Sequence, residues 1–246
     1  MSDFLLPKHD VQKTGRLGSF VKSAIIGLGL LANASFAQQL LQATLDEKVV
    51  MGPARSGNTM IEMETTIFKP PGNGPFPLII VNHGKEPGDP HRQKRDRFLV
   101  VSSEFVKRGY AVVVPMRKGF SKSTGTYVEN GCNMTDNGQL QANDLEGALE
   151  YFSQQPWVDK NRILVAGQSY GGLATIAFGT RNFPGVRGLI NFSGGLRADG
   201  GTCPWQAELV TAFATYGANS TLPSRWFYGQ NDIYFNHAIA TRVQNA

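Results

Sequence analysis

Past the first forty-odd residues, apolar and polar positions recur with two periods, and the order in which those periods occur predicts the architecture. Residues 60–68, with Ile61 and Met63 set between Glu62 and Glu64, alternate in places as a half-exposed antiparallel strand does. Pro70, Pro71, Gly72 and Gly74 break the chain, and the run that includes Leu78, Ile79, Ile80 and Val81 is apolar without alternation. Such a run suggests a strand covered on both faces. Phe98, Val101, Phe105 and Val106 then fall on one helical face, with Gly109 placed to end that helix.

The same alternation continues to the end of the chain. Residues 110–115 form a second buried strand, and a Gly, Ser and Thr-rich stretch over 117–138 reads as a long loop at one end of the sheet, expected to shape the substrate pocket. Leu145, Ala148, Leu149 and Phe152 define an amphipathic helix over about 139–155. A strand at 163–166, a helix at 173–179, a strand at 186–192, a helix at 207–216 and a strand at 224–228 follow. Strands that alternate with helices and look buried on both faces predict a mainly parallel sheet with helices on both sides. Ligands of such sheets gather at the carboxyl ends of the strands.

The opening segment has a different character. Lys8, Lys13, Arg16 and Lys22 precede an apolar run over 24–32, and Ser35-Phe36-Ala37 supplies a small-x-small ending. Together these resemble a secretory signal peptide cleaved after Ala37, so residues 38–246 are expected to form one exported, periplasmic or secreted domain with no stable membrane span. Asp3 and Asp10 in a long basic region keep an uncleaved anchor or a plain N-terminal helix as the alternative.

Composition adds limits rather than a function. With 41% hydrophobic and 17% charged residues, the chain can bury one sizeable core. Its formal charge of +5 falls when the leader is removed, and no basic run interleaved with aromatics remains to suggest a nucleic-acid partner. Five basic residues between Lys85 and Arg97 are interspersed with Glu86, Asp89 and Asp96, which reads as a solvated loop. Cys132 and Cys203 are the only cysteines, and export favours a disulfide between them over two unlinked thiols. No metal-ligand spacing occurs, and the chemistry below requires no cofactor.

That chemistry centres on Gly167-Gln168-Ser169-Tyr170-Gly171, set directly between a predicted strand and a predicted helix. A nucleophile elbow needs that context, because glycines at 167 and 171 let strand and helix close on a strained serine. A Gly-rich turn without chemistry is the plain alternative. Asn82-His83-Gly84-Lys85 ends an earlier strand, and main-chain N–H groups at Gly84 and Lys85, with that of Tyr170, are placed to receive the oxygen of a tetrahedral intermediate. Gly84 as a simple turn residue and His83 as a structural side chain form the competing reading. Asp232 follows the last strand, in the order serine, acid, histidine of α/β-hydrolases, and otherwise caps the helix that begins near Phe235.

These residues also carry a resemblance. From about Ile61 onward the chain resembles the secreted dienelactone-hydrolase-like branch of the α/β-hydrolase superfamily, notably at Asn82-His83-Gly84, Pro156-Trp157-Val158-Asp159, Gly167 to Gly172, Ser193-Gly194-Gly195 and Asn231-Asp232. The resemblance implies the α/β-hydrolase fold, Ser169 as nucleophile, Asp232 as acid and a small-molecule acyl substrate. It does not name that substrate or an oligomeric state. Dienelactone hydrolases in the strict sense use cysteine where this chain has Ser169, which argues against that particular activity.

One component of the expected triad has no obvious residue. Of four histidines, His9 lies in the leader, His83 is committed to the turn after its strand, and His237 follows Asp232 by only five positions. His91, in a loop able to approach the site, is the substitute. The expectation is therefore a chain lacking the family's last helix, last strand and histidine loop, with an inactive or ligand-binding α/β-hydrolase-like protein as the competing function.

Overall fold

The computed structural model describes residues 45–198 and 201–246, so the expected leader over residues 1–37 lies outside the described residues. Strands β1 (Glu47–Ser56) and β2 (Thr59–Phe68) form an antiparallel hairpin closed by Gly57 and Asn58. They are followed by β3 (Phe76–Asn82), helix α1 (Leu99–Lys107), β4 (Ala111–Pro115), α2 (Met134–Phe152), β5 (Val158–Gln168), α3 (Tyr170–Phe178), β6 (Val186–Phe192), α4 (Trp205–Ala218), β7 (Ser224–Phe227) and α5 (His237–Gln244).

The seven strands make one sheet in the order β1-β2-β4-β3-β5-β6-β7. Pairs from β4 to β7 are parallel and those involving β2 are antiparallel. The apolar runs sit where both faces are covered. On β3, Leu78 and Ile80 join the core under α2, α3, α4 and α5, while Ile79 and Val81 face the opposite core with Leu99 and Phe105 of α1. Successive strand residues point to opposite faces, so a continuous apolar run signals a strand sandwiched between helix layers.

Two elements differ from the pattern-based expectation. The hairpin strand β1 has no counterpart there, because Gly52 and Pro53 interrupt its apolar positions; as a sheet edge it tolerates a proline that a central strand would not. Helix α2 begins at Met134 rather than near residue 139. Its first turn lies in the polar stretch taken for loop, where the Asn133 side chain accepts the Asp136 N–H at 2.9 Å.

Register decides what the fold brings together. Asn82 of β3 lies opposite Gly167 of β5, Gly167 opposite Asn191 of β6, and Asn191 opposite Trp226 of β7. Four parallel strands therefore end at one level, and the segments that leave them converge on one side of the sheet.

Candidate active site

Ser169 joins β5 to α3 with φ 54° and ψ −122°, a left-handed conformation that a residue with a side chain rarely adopts. Hydrogen bonds hold it there. Its N–H donates to the Phe192 carbonyl at 3.0 Å, and its own carbonyl accepts from Gly172 at 2.8 Å, Leu173 at 3.2 Å and Gly195 at 2.9 Å. Gly167 and Gly171 meet each other inside the turn, and a Cβ on Gly167 would overlap the Gly171 carbonyl. The sterics predicted for the Gly-Gln-Ser-Tyr-Gly turn are thus those the chain adopts.

The wall facing Ser169 is the turn after β3. Gly84 stands so near that a Cβ added to it would lie 3.3 Å from Ser169 Cβ and 3.7 Å from Ser169 Oγ. Lys85 and Tyr170 accordingly line one pocket, and neither main-chain N–H has an acceptor among the described residues. The Lys85 side chain is directed over the Tyr127 ring, 5.6 Å from its centroid.

His83 lies beneath this turn, fully buried. Its Nε2 accepts the Arg117 N–H at 3.0 Å, which places the ring proton on Nδ1, 2.6 Å from the Gly84 carbonyl it donates to. Burial and then the neighbouring Arg117 charge hold its pKa well below the usual histidine value. A neutral ring with both nitrogens occupied is a structural brace and has no lone pair left to act as a base.

Asp232 follows β7 and faces the same pocket. Its Oδ1 accepts the N–H groups of Tyr234 and Phe235, each at 2.8 Å, and its own N–H donates to Gly229 at 3.1 Å. The cap of α5 is a different residue: Asn236 accepts the Ile239 N–H at 3.2 Å. The carboxylate is held by the turn it sits in.

Ser169, Gly84, Lys85, Tyr170 and Asp232 line one cavity of about 520 Å³. The cavity wall also includes Gln93 and Asp96, in a segment whose mixed charges read as a solvated loop. The loop is partly buried instead: Gln93 is 5% exposed and donates to the Gly84 carbonyl at 3.3 Å, while burial raises the Asp96 pKa. Arg95 bridges to Glu47 at 2.7 Å, and Arg97 also pairs with Glu47, so part of the basic character is consumed internally. No local signal marks such a loop as buried, because its partners lie on β1 and beneath the β3 turn.

The long polar stretch over 117–138 does not shape the pocket as its sequence suggests. None of its residues lines the cavity, which is built instead from 84–96, 193–197 and 232–235 along with the elbow. Cys132, in that stretch, forms a disulfide with Cys203, tying the approach to α2 to the approach to α4 with a Cα–Cα distance of 5.6 Å. Among the described residues no histidine lines the cavity: His91 is exposed on a short helical turn, Pro90–Arg92, and His237 is the exposed first residue of α5. His91 is therefore not the substitute base. No cluster of three or more His, Cys, Asp or Glu suited to a metal occurs among the described residues, and none of their helices is long and apolar enough to cross a membrane.

Comparison with known proteins bears on the fold. Residues 98–184 match the Prolyl oligopeptidase family. Cocaine esterase of Rhodococcus sp. (strain MB1 Bresler) is 29% identical over 132 residues, half of this chain and 19% of that enzyme. The chain thus spans about a fifth of that relative's length. Among solved structures, an acylaminoacyl peptidase of Pyrococcus horikoshii superposes with a TM-score of 0.61 at 15% identity, covering 84% of this chain and 36% of its own. An esterase of Pyrococcus furiosus does so with a TM-score of 0.59 at 16% identity, covering 84% and 79%. The chain therefore has the α/β-hydrolase fold, and its segment from residue 98 to residue 184, which contains the elbow, matches the Prolyl oligopeptidase family.

Proposed function

We propose that the chain is a serine hydrolase cleaving a carboxylic ester, lactone or amide through an acyl-enzyme on Ser169. The observation that carries this reading is the left-handed turn at Ser169, which holds the side chain in a cavity beside Gly84. Strained backbone of this kind clusters at active sites, and here it sets the serine in the cavity wall. In the first step Ser169 Oγ bonds to the carbonyl carbon as its proton passes to a general base, a role that no histidine lining the cavity among the described residues fills. The carbonyl oxygen takes up negative charge facing the Lys85 and Tyr170 N–H groups, each such donor contributing about 3 kcal/mol to transition-state stabilisation. Collapse breaks the bond to the alcohol or amine, which leaves with the proton, and water then releases the acid.

Asp232, at the edge of the same cavity, is the acid of this reading, the group that orients the proton-accepting imidazole and stabilises its charge. The leader and the Cys132–Cys203 bridge support a place for the protein in an oxidising, exported compartment, with the mature chain starting at Gln38. N-terminal sequencing of protein recovered from an exported fraction checks that start.

The competing reading, a catalytically inactive α/β-hydrolase-like protein that keeps the pocket, draws on the lack of a cavity histidine among the described residues. A fluorophosphonate probe decides between the two. Labelling that disappears in Ser169→Ala supports the hydrolase; folded protein that takes up no label supports the inactive form.

A further inference from the structure

The largest fully buried side chain in the described structure is a cation, Arg117, 0% exposed in the loop that leaves β4. Its guanidinium Nη1 donates to the His83 carbonyl at 2.5 Å and its Nε to Gln141 Oε1 of α2 at 2.8 Å. The guanidinium carbon lies 5.3 Å from the Phe120 ring centroid and 5.4 Å from that of Tyr170. Phe120 meets the edge of the His83 ring, with centroids 4.6 Å apart. Burying a guanidinium is costly, so each of these contacts offsets part of its desolvation.

The placement matters because Arg117 touches both sides of the turn that faces Ser169. Its main chain and side chain grip His83 at the ring and at the carbonyl, and His83 holds Gly84. Its guanidinium supports the ring of Tyr170, whose hydroxyl donates to the Asn137 carbonyl on α2 at 3.3 Å. Two turns along α2, Asp144 accepts the Lys118 N–H at 2.9 Å and so fixes the loop on the other side of Arg117. Helix α2 thus presents Asn137, Gln141 and Asp144 on one buried face, and all three hold the support of the pocket.

We propose that Arg117 is a positioning residue that sets the spacing between the two main-chain donors, at Lys85 and Tyr170, by bracing His83 and the Tyr170 ring together. This rests on the reading of Ser169 as a nucleophile. Arginine suits the place and lysine does not, because a planar fork reaches Gln141 and His83 at once while its face lies against two rings. A loss of positioning acts on the oxygen as charge develops on it, so it lowers kcat and leaves KM in place.

The test compares the full chain with Arg117→Lys and with Gln141→Leu, a variant outside the pocket that removes the acceptor of Arg117 Nε together with a 3.3 Å hydrogen bond to the Val128 carbonyl. Two readouts are taken on protein whose near-UV circular dichroism matches the parent: hydrolysis of a short-chain p-nitrophenyl ester, and the exchange rate of the His83 Nδ1 proton by NMR. The expected result is a kcat lower by about 10- to 100-fold in Arg117→Lys, with KM within about twofold. A smaller fall is expected in Gln141→Leu, and faster exchange of the His83 proton in both. Parental kcat together with parental exchange in a folded variant overturns the proposal. If the parent neither hydrolyses the ester nor takes up a fluorophosphonate, the nucleophile reading is what fails; the His83 proton then decides alone, and parental exchange in both variants overturns the brace.

Discussion

Gly171, in the first turn of α3, lies directly against the main chain of Asn82 and His83, so that a Cβ at position 171 would overlap both of their carbonyl oxygens. The elbow and the turn facing it are therefore in backbone contact, and neither can move without the other. Gly171→Ala is expected to lower stability by about 3 kcal/mol or to prevent folding, because overpacking falls on rigid main chain. Urea unfolding measures the loss, and a variant within 0.5 kcal/mol of the parent, on the order of an ordinary surface change, would show that the contact yields.

Strain at Ser169 has its own signature. Glycine adopts a positive φ without steric cost, whereas alanine keeps the strain and loses only the hydroxyl. Ser169→Gly is expected to be about 1 kcal/mol more stable than Ser169→Ala in denaturant unfolding, although both lose fluorophosphonate labelling. Equal stabilities would mean that the turn is not strained.

Acid sensitivity follows from His83, whose folded-state pKa is lowered by burial and by Arg117. The folded chain binds this proton less readily than the unfolded chain does. Its contribution to stability is therefore complete above the ordinary value of 6.5 and is lost as pH falls below it, at about 1.4 kcal/mol per pH unit until the folded group titrates. His83→Gln should remove that slope from urea unfolding measured between pH 7 and pH 5. A slope identical to the parent's would assign it to other groups.

Asp232 separates charge from shape. Asparagine keeps the oxygen that accepts the Tyr234 and Phe235 N–H groups, so Asp232→Asn should leave the thermal midpoint almost unchanged. As a triad acid, it should nonetheless lower kcat by about 10⁴. Asp232→Ala should lose about 1 kcal/mol of stability besides, since two N–H groups lose their acceptor. Full activity in Asp232→Asn removes the residue from the triad.

The Cys132–Cys203 bridge closes a loop 71 residues long in sequence. Cross-linking across such a loop restricts the unfolded chain, and its loss should cost about 2–4 kcal/mol. Unfolding with and without reductant measures this, and an unchanged midpoint would show that the bridge is not present in the purified protein.

Much of the fold was legible because its signals are local. The runs at Leu78–Val81 and Val112–Val114 declare doubly covered strands, since both of their faces meet helices and no polar alternation is needed. The elbow was legible for the same reason, as the glycines around Ser169 serve contacts made within a few residues. The start of α2 was not, because its first turn relies on the Asn133 cap rather than on apolar spacing. Nor was β1, whose Pro53 is permitted only by its place at the edge of the sheet.

The sequence by itself determined the order of elements from β2 onward, the glycine-flanked turn at Ser169 and the residues available to support it. Tertiary structure alone decided that Gln93 and Asp96 line the cavity while the 117–138 stretch stays behind it, that His83 is a buried brace, and that Arg117 supports both Gly84 and Tyr170. Those outcomes depend on strand register, which sets Asn82 beside Gly167 and so brings side chains distant in sequence into contact. Local pattern records which residues can be buried; only the assembled sheet settles what they are buried against.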